Sequence, residues 1–368
     1  MTPRESRRPM TMRGRILDAV GGIPDLVLVN FPDPTIRKSP LDRETYLRQL
    51  AFYDPDGWDP GLKPFFYLPD EPPASQVIET EPFGSGRRDL IRYPSRYIPR
   101  NPEVVDRFNG RRENLSGYLH LWRHDDSTDR PLVLAIHGLM MGGPAKARRM
   151  FKVDRLFGLG LDIALHTLPG HWRRSDFPLF QRLLDPADLP LTVERIAQNL
   201  HDLHSAQMLL RQLGYENIGI IGASMGGFTT ASYATQVSDG PDFIFLVVPA
   251  VTMERYLKPN RFRFGFPVDS ELVRATHRAQ EIFSPLYLKP SYDVDRIRVV
   301  AHAGDRLCRA EDTRRWVDDW GIEDHIEVVG GHWLYLDRRA RGDAWYGLLK
   351  ERGYIADWAG TPEPCGKR

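Results

Sequence analysis

The stretch Gly219-Ile220-Ile221-Gly222-Ala223-Ser224-Met225-Gly226-Gly227 constrains this chain more than any other. A short apolar run leads into a serine set between two glycines, and a helix-like segment follows. Gly222-x-Ser224-x-Gly226 fits a strand-to-helix turn so tight that the serine backbone is strained and its Oγ stands clear of the chain. A side chain at either flanking position would collide with the neighbouring strand or helix, so glycine is required there. A serine held in this way becomes a nucleophile when a base removes its proton during attack. The rest of the chain therefore has to supply a base, an orienting acid and donors for a developing oxyanion.

Composition narrows the classes of function. With 368 residues, the chain can form one large α/β domain with insertions or two modest domains. Its 41 % hydrophobic and 27 % charged content is ordinary for a globular protein. A formal net charge of +1 gives no global electrostatic reason to expect nucleic acid or a strongly acidic partner. Two cysteines, Cys308 and Cys365, make no disulfide framework. No apolar run reaches the roughly 20 residues that span a bilayer. Arg4, Arg7, Arg8, Arg13 and Arg15 precede a stretch at 16–31 that Asp18, Gly21, Gly22, Pro24 and Asp25 interrupt, which makes a poor signal-peptide core. The expectation is a soluble, cytoplasmic protein; no motif speaks to its oligomeric state.

Residues 1 to about 85 are rich in proline, aspartate and aromatics, as in Phe31-Pro32-Asp33-Pro34 and Tyr53-Asp54-Pro55-Asp56-Gly57-Trp58-Asp59-Pro60. Such a segment holds only short helices and turns. Its aromatics (Phe52, Tyr53, Trp58, Phe65, Phe66, Tyr67) imply packing against a larger body. Residues 1–87 therefore read as an N-terminal extension wrapped on a domain spanning 88–360, with 361–368 as a frayed tail. Within that domain, 88–93 and 115–122 fit antiparallel strands, and 132–136 fits a buried parallel strand. Helices expected at 145–159, 192–213, 228–237, 311–320 and 341–352 then alternate with strands expected at 162–165, 218–221, 243–248, 299–302 and 326–329. That alternation implies a mostly parallel sheet covered by helices on both faces. Residues 250–292 interrupt it and read as a lid over the strand C-terminal ends, where ligands bind in such sheets.

The required parts occur in a workable order. Ala135-Ile136-His137-Gly138-Leu139-Met140-Met141-Gly142-Gly143 ends the 132–136 strand, and its turn can aim a backbone N–H into the site. Leu139 is the first choice for that donor and Met140 the second; the N–H of Met225 supplies the other half of an oxyanion hole. Val328-Val329-Gly330-Gly331-His332-Trp333 places His332 after a strand, where it can take a proton from Ser224. Val299-Val300-Ala301-His302-Ala303-Gly304-Asp305 offers Asp305 as the acid that fixes the imidazole, with Glu254 as the alternative.

Across residues 88–352 the chain resembles the α/β-hydrolase fold superfamily. The resemblance rests on His137-Gly138, Gly222-Ala223-Ser224-Met225-Gly226-Gly227, Ala303-Gly304-Asp305 and Gly331-His332. Leu168-Pro169-Gly170-His171-Trp172-Arg173-Arg174-Ser175 is similar to the Pro-Gly-His-Gly-x-Ser turn of many members, with Trp172 and Arg173 altering the usual glycine position. The resemblance implies the order Ser…Asp…His and hydrolysis without a cofactor. A serine at the elbow speaks against the epoxide hydrolase and dehalogenase branches, which use aspartate there.

The expected activity is cleavage of a small-molecule carboxylic ester through an acyl-enzyme on Ser224. An acyltransferase, thioesterase or peptidase could use the same triad, and a binding protein could retain the fold without catalysis. Met141, Met253 and Tyr256 are the candidate substrate contacts, with core packing the alternative for Met141. His201 and His204 lie one helical turn apart without a third ligand at useful spacing, so no metal site is expected. Arg255, Lys258, Arg261 and Arg263, interleaved with aromatics, read as a solvated surface or as a lid that meets an anionic or lipid-like acyl substrate. Cys308 is assigned no chemistry.

Overall fold

The computed structural model describes residues 18–23, 25, 38–57, 65–126, 129–175, 183–259 and 264–356. Among these, nine strands form one sheet. They are β1 (Gln76–Phe83), β2 (Gly86–Pro94), β3 (Ser116–His124), β4 (Leu132–Ile136), β5 (Asp162–His166), β6 (Ile218–Ala223), β7 (Ile244–Val247), β8 (Ile297–His302) and β9 (His325–Val328). Their spatial order is β1-β2-β3-β5-β4-β6-β7-β8-β9. Pairings are antiparallel from β1 to β5 and parallel from β5 to β9.

Burial follows from this arrangement. Every residue of β4, β5, β6 and β7 is buried, as expected of parallel strands covered on both faces. The solvent-facing β1, by contrast, has no fully buried residue. One apolar cluster includes Leu132, Leu134, Ile136 and the long helix Leu189–Gln212; the other includes Val133, Ala135, Phe245 and Trp345 of the helix Arg338–Glu351. Alternate residues of β4 thus feed opposite layers, which is the period-two geometry of a strand. Because β5 lies on one side of β4 and β6 on the other, the chain reverses direction across the sheet at β4. The crevice at the C-terminal ends of strands beside such a reversal is where ligands bind.

The element boundaries shift from the expected ones by a few residues at most, with two differences of substance. The helix expected at 145–159 is two helices, Pro144–Met150 and Val153–Gly158, because Lys152 adopts the left-handed conformation at φ 56° between them. The sheet also begins earlier than residue 88, since β1 pairs along β2. The described residues 38–57 of the N-terminal segment contact later parts of the chain. Tyr46, from the helix Arg43–Ala51, donates its hydroxyl to Pro186 O at 2.9 Å. Tyr53 and Tyr97 donate to the buried Glu194 carboxylate, which also accepts from the backbone N–H of Arg100 and Asn101. Arg43 reaches Asp269, and Arg278 reaches Asp54 at 2.8 Å, so this segment also meets the helix Ser270–Glu281 of the 250–292 stretch. Trp58, Arg261 and Arg263 lie outside the described residues.

The turn 168–175 keeps its place despite Trp172 and Arg173. Gly170 takes φ 71°, Trp172 takes φ 50°, and Trp172–Arg174 closes as a single 3-10 turn. That turn sends Arg174 inward, where its guanidinium meets Asp202 at 2.6 Å with both side chains fully buried. Burial disfavours the Asp202 charge, but Arg174, His201 and the Ser95 hydroxyl together outweigh this and hold the carboxyl below its usual range. Replacing Asp202 with alanine leaves Arg174 buried and unpaired, so guanidinium unfolding should show a loss of about 3–5 kcal/mol.

Candidate active site

The site is built at the C-terminal ends of β4, β6, β8 and β9. Ser224 follows β6 directly and caps the helix Met225–Ala234, with φ 56° and ψ −116°. Its backbone is held from three sides: its N–H donates to Val247 O at 3.0 Å, and its carbonyl accepts from Phe228 N and Ala250 N. The flanking glycines are sterically obligatory. A Cβ on Gly222 would lie 2.5 Å from Gly226 O, and one on Gly226 would lie 2.0 Å from Ile136 O. Ser224 is nonetheless only partly buried, so the strained turn presents its hydroxyl to the crevice.

The β4 turn closes over this hydroxyl. A Cβ on Gly138 would lie 3.0 Å from Ser224 Cβ, so only glycine allows the loop to come so near. His137 braces the loop from beneath, with Nδ1 2.8 Å from Gly138 O and Nε2 3.3 Å from Leu168 N. A carbonyl accepts and an amide donates, so His137 carries its proton on Nδ1. Burial holds its pKa well below the usual histidine range, and it stays neutral. Leu139 is half-buried against the first apolar cluster, while Met140 takes φ 55° and is 57 % exposed. The N–H of Met225 belongs to the first helical residue and so has no carbonyl partner within its own helix.

Asp305 and His332 come together as an ordered pair. Asp305 Oδ2 lies 2.7 Å from His332 Nδ1, and Asp305 Oδ1 accepts from the backbone N–H of Leu307 and Cys308, both at 2.8 Å. With both carboxylate oxygens engaged and both residues buried, the imidazole has one orientation. Glu254, the alternative acid, is elsewhere: it accepts from Tyr287 Oη and sits 3.4 Å from His277 Nε2.

One residue to which the sequence assigned no chemistry lies among these groups. The Asp305 turn returns the chain so that Cys308 Sγ lies 4.0 Å from Ser224 Oγ and also faces the His332 imidazole. Among the described residues no hydrogen bond joins Ser224 to His332 directly. Burial alone would lower the His332 pKa, but the Cys308 sulfur and the Asp305 carboxylate outweigh it and hold it well above the usual range. Burial also pushes the Cys308 thiol up. Donor atoms of Asp305, Cys308 and His332 lie within 4.8 Å of one another, the one convergence of metal-ligand side chains among the described residues. His201 and His204 make no such group: His201 packs on Tyr67 and Tyr97, and His204 Nδ1 meets Tyr233 Oη at 2.6 Å.

Cys308 and Tyr256 also line a cleft with Pro249, Val251, Arg255 and Leu307. Tyr256 is thus near the serine. Met253 is buried in the first apolar cluster, and Met141 in the second, where flexible thioethers fill irregular space.

A mostly parallel sheet with a strained serine on the turn from β6 into a helix gives the chain the α/β-hydrolase fold. No protein-family model and no curated protein matches the sequence. Solved structures do match. An S-formylglutathione hydrolase from Agrobacterium tumefaciens is 12 % identical with a TM-score of 0.48, covering 76 % of this chain and 100 % of its own. A cold-adapted esterase from an Arctic intertidal metagenomic library is 16 % identical with a TM-score of 0.47, covering 75 % and 97 %. Est1E from Butyrivibrio proteoclasticus is 14 % identical with a TM-score of 0.43, covering 64 % and 94 %. Among the described residues no helix is long and apolar enough to cross a membrane.

The electrostatic reading has a direct check. In a ¹⁵N NMR titration, the His332 imidazole should lose its proton above the ordinary histidine value of about 6.5. Replacing Asp305 with asparagine should move that midpoint down; an unmoved midpoint would assign the shift to another group.

Proposed function

We infer that the protein is a serine hydrolase that cleaves a carboxylic ester through an acyl-enzyme on Ser224. The observation that carries this reading is the strained backbone of Ser224, a conformation costing about 1–3 kcal/mol in a turn that otherwise has no need of a serine. The Asp305–His332 pair supports it by offering an oriented base in the same crevice.

The chemistry follows from these groups. His332 takes the hydroxyl proton as Ser224 Oγ attacks the ester carbonyl, and Asp305 stabilises the resulting imidazolium. The N–H of Met225 and that of Leu139, or of Met140 in its place, receive the oxyanion; losing one such donor costs about 3–4 kcal/mol. The tetrahedral intermediate collapses, His332 returns the proton to the leaving alkoxide, and an alcohol departs. Water then attacks the acyl-enzyme by the same route and releases the acid. A serine–histidine hydrogen bond that is open in the free enzyme and tightens with substrate is usual for such sites.

The position of Cys308 favours one second reading. Its thiol faces His332, with Asp305 behind, so Cys308 could itself take the acyl group as a thioester. The two readings part cleanly under labelling. A fluorophosphonate adduct should map to Ser224, vanish in Ser224→Ala and His332→Ala, and persist in Cys308→Ala. Turnover that survives Ser224→Ala and fails in Cys308→Ala would replace the serine reading with the thiol one. No adduct on folded protein would favour a binding role. Because the raised His332 must be neutral to act as base, kcat/KM should rise with pH through a midpoint above about 6.5. A rising limb below that value would contradict His332 as the base.

A further inference from the structure

We propose that residues 18–23 and Asp25 form a strap whose Asp25 positions the catalytic base and its acid relative to the nucleophile. The proposal rests on the reading of Ser224, Asp305 and His332 given above, and it assigns a role to a segment far from them in sequence.

Asp25 is fully buried, and its Oδ2 accepts two backbone N–H groups. One is that of His332 at 2.8 Å, and the other is that of Arg306 at 3.1 Å. A single carboxylate oxygen thus ties the loop after β8, which carries Asp305, to the loop after β9, which carries His332. Asp18 adds a second tie: its Oδ1 accepts from Gly330 N at 3.0 Å. The strap itself is folded by Gly22 N donating to Asp18 O at 3.0 Å.

The contact is a built one, in which both surfaces lack the atoms that would push them apart. A Cβ on Gly331 would lie 2.0 Å from Gly21 O, and one on Gly304 would lie 2.4 Å from Asp18 O. From the other side, a Cβ on Gly21 would lie 2.6 Å from Gly331 N. Three glycines therefore permit backbone-to-backbone docking of the strap on both loops. His302 completes the arrangement from the core side, with Nδ1 2.9 Å from Gly331 O. His332 is consequently fixed through its side chain by Asp305 and through its backbone by Asp25. Loss of the second hold leaves the pair intact but free to shift as a unit against Ser224. A displacement of 1 Å in such a site can cost on the order of 10²-fold in rate. Asp25 touches neither substrate nor the reacting atoms, so it is a positioning residue.

The test compares the full-length protein with Asp25→Ala, Asp25→Asn and Gly21→Ala, well below each melting temperature. The rate of fluorophosphonate labelling at Ser224 is read beside hydrogen exchange at the Arg306 and His332 amides. In Asp25→Ala both amides should exchange faster and labelling should slow by about 10²-fold. Asp25→Asn keeps an oxygen that can accept both N–H groups and should restore most of the rate. Gly21→Ala lifts the strap without touching the carboxylate and should reproduce the slow labelling. Folded Asp25→Ala that labels at the wild-type rate, or whose two amides stay protected, would overturn the proposal. If Asp25→Ala does not fold, Gly21→Ala at the wild-type labelling rate would overturn it equally. Wild-type protein that fails to label would instead contradict the serine hydrolase reading, and amide exchange would still decide whether the clasp exists.

Discussion

The arrangement depends on a turn that leaves no spare volume. At the end of β6 the chain must reverse into a helix while passing within contact distance of the β4 carbonyl at Ile136 and of the Gly138 loop. Gly222, Gly226 and Gly138 give way by having no side chain, and the strain collects on Ser224. This fixes where the serine stands and brings the β4 loop over it. The helix that begins at Met225 points its free N–H groups toward the same space. The remaining partners then arrive on β8 and β9, the neighbouring parallel strands, whose C-terminal ends open on the same edge.

Much of this was legible in the sequence because it is local. Apolar runs such as Leu132-Val133-Leu134-Ala135-Ile136 are too short for helices and too uniform for an exposed strand, so they read as buried parallel strands. The glycines around Ser224 mark a position that only one backbone geometry can use. Asp305 and His332 each follow a strand, and a parallel sheet brings such positions together. The break at Lys152 was not legible, because nothing in that amphipathic stretch demands a left-handed residue. Met141 and Met253 were open between pocket and core, and sequence alone does not say that each joins a different apolar cluster.

Cys308 and Asp25 escaped for a different reason. Cys308 reaches the centre because Asp305 Oδ1 gathers the amides of Leu307 and Cys308 into a tight turn, and a three-residue spacing alone does not announce that. Asp25 is joined to His332 across most of the chain, a pairing without any local periodicity. The interrupted stretch from Asp18 to Asp25 was legible only as something that is not a signal-peptide core. The same glycines that break its apolar run let its backbone come close to the loops that carry Asp305 and His332. The thiol meanwhile places two potential nucleophiles before one base, so the identity of the acylated atom is the central chemical question about this site.

That question is settled most directly by trapping the intermediate. An activated ester is mixed with the protein, the reaction is quenched in acid during the first turnover, and the acylated peptide is identified by mass spectrometry. The account predicts a single acyl group on the peptide containing Ser224, as an oxygen ester stable to neutral hydroxylamine conditions that cleave thioesters. An acyl group on the peptide containing Cys308, or turnover with no covalent adduct on either, would contradict it.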